Sequence, residues 1–229
     1  MGRNTCRKNN SHVSTSVNRR FTTPVLVTAS GINQLLIFHD EGIRSLDPDT
    51  GNELWKMPMW IQNSRLLIIT TPVVHDNLVF FSGYWGVGSM LLKVHAKNAE
   101  KLWHNKKIQC YQANPHIING AVYLYDGVPM QNKKSFVCLD LKTGIKKWET
   151  DTLGMGTTIA ADGYLICQNV KGALFLVKPD FRGLRLKGSI AVIMPDIPEN
   201  QFHWTKPVIA GNRLYVRHGP KLICYRLGS

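Results

Sequence analysis

Short apolar runs bounded by turn-forming residues recur along the chain and predict β-strands joined by tight turns. Ile43-Arg44-Ser45-Leu46 leads into Asp47-Pro48-Asp49-Thr50-Gly51, and a second strand then ends at Trp55. The same order returns at Phe136-Val137-Cys138-Leu139, Asp140-Leu141-Lys142-Thr143-Gly144 and Trp148. A worn copy, His95-Ala96-Lys97-Asn98-Ala99-Glu100-Lys101-Leu102-Trp103, lies between them. The tryptophans are 48 and 45 residues apart, close to the ~40 to 50 residues that one four-stranded propeller blade requires.

The residue types in this unit have physical reasons. In Asp-x-x-Thr-Gly the carboxylate and hydroxyl can accept hydrogen bonds from nearby backbone NH groups, and glycine accepts the positive φ that strains other residues. Tryptophan is large enough to fill the wedge between neighbouring blades. Because His95, Asn98 and Ala99 replace Asp, Thr and Gly, the middle turn is expected to be the least well formed.

Other landmarks keep the period. First strands are predicted after Thr23-Pro24, Thr71-Pro72, Asn114-Pro115 and Lys206-Pro207, and at Thr157-Thr158-Ile159-Ala160. Hairpin signals at Asn119-Gly120, Asp162-Gly163 and Gly211-Asn212 introduce second strands. The first strands should line a central channel and the tryptophan strands should lie outside. The predicted organisation is a basic polar tail over 1–20 and all-β repeats over 21–229, with approximate blades 21–60, 61–107, 108–152, 153–200 and 201–229.

On these residues the chain resembles the quinoprotein-type, or PQQ-like, β-propellers, including BamB-like members. Their Ala-x-Asp-x-x-Thr-Gly-x-x-x-Trp docking motif is matched at Asp47, Thr50, Gly51 and Trp55 and at Asp140, Thr143, Gly144 and Trp148. Trp103 holds the same place in the worn copy, and Ser45 and Cys138 take the small-residue position. Ser82 to Lys93 is similar to a stretch of bacterial PQQ-like repeat proteins. The resemblance implies four-stranded blades, commonly eight to a ring. About five are legible here, the fifth stopping near Leu227 before its tryptophan strand. Two completions stay open: an N-terminal strand at His12 to Val17 closing a five-bladed ring, or, as the favoured expectation, a chain that is part of a longer eight-bladed propeller.

Composition changes this picture in one respect. Lys and Arg number 28 against 15 Asp and Glu, giving a net charge of +13. The cations cluster at Lys101, Lys106 and Lys107, at Lys142, Lys146 and Lys147, and at Arg182, Arg185 and Lys187. Such a field favours an anionic surface or ligand, or simply a solvated exterior. No nucleic-acid motif accompanies it. No apolar run is long enough for a transmembrane segment, and the basic N-terminal residues lead into polar ones rather than into the apolar core of a signal peptide. The resemblance implies the periplasm or cell envelope, and a cytoplasmic location is the alternative reading. Cys6, Cys110, Cys138, Cys167 and Cys224 include no Cys-x-x-Cys pair; Cys138 and Cys224 share one repeat position and read as small buried hydrophobes, while Cys6 lies in the polar tail, where lipidation or reactivity is the alternative.

Candidate chemistry is sparse. Gly83, Gly86 and Gly88 precede no helix that would present NH groups to a phosphate, so a bulge or channel-mouth loop carrying Tyr84 and Trp85 is the expectation. The eight histidines lack metal-ligand spacing, although His116 and His203 could converge at the channel. The resemblance implies that quinoprotein dehydrogenases hold PQQ and calcium in that channel, often beside a vicinal disulfide. This chain has no adjacent cysteines and no acid-rich loop near the inner strands. The expectation is therefore a module without catalytic, cofactor or metal residues. It would act as a protein-binding scaffold, in the manner of envelope or outer-membrane protein assembly. The rival is a fragment of a PQQ-dependent alcohol dehydrogenase-like oxidoreductase.

Overall fold

A computed structural model describes residues 23–39, 42–58, 70–84, 86–127, 134–191 and 204–228. They form nineteen strands and no helix. The first sheet contains β1 (Val25–Ala29), β2 (Ile32–His39), β3 (Gly42–Leu46) and β4 (Glu53–Pro58). The second contains β5 (Val73–His75), β6 (Leu78–Gly83), β7 (Gly88–Val94) and β8 (Ala99–Asn105). The third comprises β9 (His116–Ile118), β10 (Ala121–Gly127), β11 (Lys134–Asp140) and β12 (Lys146–Thr150). The fourth comprises β13 (Gly156–Ala161), β14 (Tyr164–Asn169), β15 (Leu174–Lys178) and β16 (Arg185–Ile190). In the fifth, β17 (Val208–Ala210), β18 (Arg213–His218) and β19 (Lys221–Arg226) make a three-stranded sheet. Each sheet is an antiparallel meander, so every blade is built from neighbours in sequence.

The blades meet at their first and second strands: β1 lies against β5, β5 against β9, and β10 against β13. The tryptophan strands β4, β8 and β12 are consequently outermost. Tight turns drive each first hairpin, with Asn119 and Asp162 at φ of 50° and 47° before a glycine, as the Asn-Gly and Asp-Gly pairs predict. The apolar side chains are shared between blades rather than gathered in one centre. Val27, Leu36, Phe38 and Ile43 of the first blade pack with Val79, Phe81, Leu92 and Val94 of the second. A larger cluster joins the second, third and fourth blades through Phe80, Leu91, Tyr123, Tyr125, Phe136 and Leu165. Leu174, Leu214 and Val216 connect the fourth to the fifth.

Cys110, Cys138 and Cys167 are buried and unbridged. Burial pushes the Cys138 thiol up to about 11 and Cys167 to about 12, which keeps both protonated and unreactive near neutrality. Cys224 differs from the sequence expectation, being exposed. It occupies the position of Cys138, but β19 is the outermost strand of its described sheet and nothing there covers it as Trp148 covers Cys138.

The two intact Asp-x-x-Thr-Gly turns are nearly superimposable in their bonding. Asp47 Oδ1 accepts from the NH groups of Asp49 and Thr50, and Gly51, at φ 74°, donates to the Asp47 carbonyl. Asp140 Oδ1 accepts from the NH and hydroxyl of Thr143, and Gly144, at φ 68°, donates to the Asp140 carbonyl. The middle turn takes a different form. Lys93 and Val94 pair with Glu100 and Ala99, extending the ladder, and His95 NH closes a short turn on the Asn98 carbonyl. Asn98 is not left-handed. A longer hairpin with a tighter end therefore replaces the carboxylate-capped loop.

These bonds have a pH signature. Burial works to raise the Asp140 pKa, but the Thr143 hydroxyl and NH, aided by Lys147, outweigh it and hold it below the ordinary value. A depressed folded pKa means the carboxylate stabilises fully above the unfolded value, roughly 4, and progressively less as pH falls through the folded one. Asp140→Asn should therefore lower the urea midpoint at pH 7, and the gap from wild type should shrink as pH approaches 3. A gap independent of pH would show that charge has no part in this turn.

Candidate functional site

The docking residues form a chain of staples, each running from the outer strand of one blade to the next blade. Trp103 Nε1 donates to the Leu141 carbonyl at 2.8 Å, inside the Asp140 turn, and Asn105 Nδ2 donates to the Gly144 carbonyl at 3.0 Å. Trp148 Nε1 donates to the Asp180 carbonyl at 3.0 Å, and Lys147 Nζ stands 4.6 Å above the Phe181 ring. Trp55 reaches its neighbour indirectly. Its Nε1 donates to Gln34 Oε1 at 2.6 Å, Ser45 Oγ donates to the same oxygen at 2.8 Å, and Gln34 Nε2 donates to the His95 carbonyl at 2.9 Å.

Sequence reasoning passed over two of these participants. Gln34 follows Asn33 near the start of an otherwise largely apolar strand, and no other blade repeats it. Asp180 carries the turn of the fourth blade, where Arg182 NH donates to its carboxylate and Arg185 pairs with it at 2.5 Å. The Arg182 NH holds its pKa down, with the Arg182 and Arg185 side chains reinforcing the effect. Pro179-Asp180-Phe181-Arg182-Gly183 retains the aspartate and glycine of the repeat without its threonine, which was the available signal.

Glycine has different duties in the two matched turns. A Cβ at Gly51 would meet nothing within 4 Å, whereas one at Gly144 would come to 2.5 Å from the Trp103 ring. Both positions need positive φ, which costs an L-residue about 1 to 2 kcal/mol. Gly144→Ala should therefore lose about 1 to 3 kcal/mol more than Gly51→Ala, the usual overpacking range. Equal losses in paired denaturation curves would remove Trp103 from the Asp140 turn.

At one end of the blades, loops gather. The Gly83 to Gly88 segment joins β6 to β7 as a hairpin loop. A Cβ on Gly88 would lie 2.7 Å from the Asn105 carbonyl oxygen, so close backbone approach is what excludes a side chain there. Beneath it Ser82 and Ser89 share a hydrogen bond at 2.9 Å, Ser89 Oγ donates to the Ile108 carbonyl, and Cys110 NH donates to Ser82 Oγ. Tyr84 meets Tyr111 edge-on at 5.8 Å, and Tyr111 meets Trp204 at 6.2 Å. Burial lowers the His116 pKa, with nearby Lys206 adding to the effect. His203 and Trp85 lie outside the described residues.

The quinone site implied by resemblance can be tested against these residues. First strands β1, β5, β9, β13 and β17 carry no aspartate or glutamate, so these strands offer calcium no carboxylate. The buried carboxylate nearby, Asp126, accepts from the Gln109 NH at 2.8 Å. Among the described residues, no three His, Cys, Asp or Glu side chains are gathered as metal ligands. No described helix is long and apolar enough to cross a membrane.

Residues 8–150 match a PQQ-like family model described as outer membrane protein assembly factor BamB. Among curated proteins none matches the sequence. The chain is similar in fold to BamB from Moraxella catarrhalis, with a TM-score of 0.62 and 17% identity over 90% of this chain and 57% of that one. It is also similar to the quinohemoprotein alcohol dehydrogenase of Comamonas testosteroni, with a TM-score of 0.61 and 13% identity over 89% of this chain and 39% of that one. A europium-containing methanol dehydrogenase aligns with a TM-score of 0.55 and 13% identity, covering 74% of this chain and 41% of its own. The chain thus spans just over half the length of the Moraxella protein.

Proposed function

The chain belongs to the PQQ-like propeller family described as outer membrane protein assembly factor BamB, and on that premise we propose that it is a non-catalytic protein-binding propeller. Its setting would be the cell envelope and its task to hold a protein partner during outer-membrane protein assembly. The observation that carries this reading is where the recurrent polar residues are used. Asp47, Thr50, Asp140 and Thr143 bond within turns, Trp103 and Trp148 bond to the next blade, and Trp55 reaches the second blade through Gln34. The motif that gives the family its likeness is thereby absorbed by architecture, and a shared fold carries no chemistry by itself. Exposed cations such as Lys101, Lys142, Lys146 and Lys187 give the outer rim a basic surface that suits a partner with acidic or extended segments. No quinone or metal takes part in this function.

A photo-crosslinking residue at Lys101, on the exposed outer strand of the second blade, tests the reading in intact cells of the source organism. Covalent adducts with a protein of the outer-membrane assembly machinery are the expected result. An absence of protein adducts from this and other rim positions would argue against a scaffold. The quinoprotein reading makes the opposite demand, a ligand-dependent change at the channel end.

A further inference from the structure

The fourth blade departs from the other three at one position. Trp55, Trp103 and Trp148 pair across the outer hairpin with Ser45, Leu91 and Cys138, each beside a register shift. In the fourth blade the same shift follows Leu176, and the residue opposite Leu176 is Gly188. A Cβ on Gly188 would meet nothing within 4 Å. No side chain stands here in place of the indole of the other blades, and on the same face Leu176 and Ile190 are 38% and 50% exposed.

Two further features mark β16. Every one of its six residues is exposed, and like β4, β8 and β12 it is outermost in its sheet, with one edge without a described partner. The outer strands of the first three blades each include an acid, Glu53, Glu100 and Glu149, whereas Arg185-Leu186-Lys187-Gly188-Ser189-Ile190 has none. Arg185 pairs with Asp180, but Lys187 has no acidic partner among the described residues.

From these three features together we infer that β16 is a strand-addition site for an acidic, extended segment of a partner protein whose single aromatic side chain enters the gap at Gly188. The free edge supplies main-chain donors and acceptors, Lys187 and its neighbours select against cationic segments, and the gap selects an aromatic residue in one register. The edge cations also discourage pairing between two copies of this chain. The inference rests on the protein-binding reading and gives it a place and a partner chemistry.

A fluorescein-labelled ten-residue peptide alternating Glu with Thr or Val around one central Trp serves as the probe, read by anisotropy. Wild-type protein should bind it. Replacing the peptide tryptophan with alanine, or its glutamates with lysine, should weaken binding at least tenfold. Gly188→Trp should do the same by filling the gap from within, and Lys187→Glu should do so by reversing the charge. Lys187 is exposed, so that variant should keep the wild-type thermal midpoint. Hydrogen exchange on peptide addition should slow in β16. No binding, equal binding by the Gly188→Trp protein, or slowing confined to other strands would overturn the proposal. If rim crosslinks to a protein form while the peptide fails to bind the wild-type protein, only the site falls and the scaffold reading stands.

Discussion

Trp103→Ala is expected to cost about 3 to 5 kcal/mol of unfolding free energy, the range for removing a large aromatic from a packed site. Its ring lies close enough to Gly144 to exclude even a methyl group and meets Phe80 at 5.8 Å. Its indole NH satisfies the Leu141 carbonyl in the next blade. Truncation would leave a cavity between the second and third blades and an acceptor without its donor. In an array stabilised by neighbour contacts, weakening one interface also lets the halves unfold separately. Guanidinium curves should therefore show a lower midpoint and a shallower or divided transition. A loss below about 1 kcal/mol with an unchanged slope would remove Trp103 from the role of staple.

Gln34→Leu should cost nearly as much, about 3 to 4 kcal/mol, although it conserves volume and adds apolar surface. Gln34 and Ser45 are fully buried, Trp55 is 7% exposed, and all three meet at one amide oxygen. Leucine would leave the indole NH and the Ser45 hydroxyl without an acceptor, at about 1 to 3 kcal/mol for each buried orphan. Loss of the bond from Gln34 Nε2 would also free the His95 carbonyl, the polar link from this site to the second blade. Adding Ser45→Ala and Trp55→Phe should recover most of the loss, because the unmet donors vanish with it. Failure of that rescue, seen in matched urea curves, would mean that Gln34 acts through packing alone.

The repeat was legible because its chemistry is local. Asp, Thr and Gly close a turn within six residues, and a tryptophan eight residues past the aspartate must lie on the returning strand. Such spacing fixes hairpins without knowledge of what they touch. What the Trp103 and Trp148 staples touch was not legible, since their acceptors are carbonyls of a turn in the following blade and main-chain oxygens carry no sequence signal. Gln34 escaped notice for a related reason. Its three partners lie eleven, twenty-one and sixty-one residues away, and no other blade repeats it. The middle turn departed from expectation because two extra cross-strand pairs lengthened its hairpin, a gain in ladder that degraded motif residues do not advertise. Gly188 was visible only as a missing tryptophan, and its meaning required the register that sets it opposite Leu176.

The most direct test of a family member working as a protein-binding propeller rather than a quinoprotein is a thermal melt of the purified chain with and without excess PQQ and calcium. A ligand at ~100 times its dissociation constant adds about 2.7 kcal/mol, enough to raise the midpoint of a domain this size by roughly 5 to 10 °C. The account predicts a cooperative melt that shifts by less than about 1 °C. A rise of several degrees requiring both PQQ and calcium would contradict it and make the channel, not the rim, the working part of the molecule.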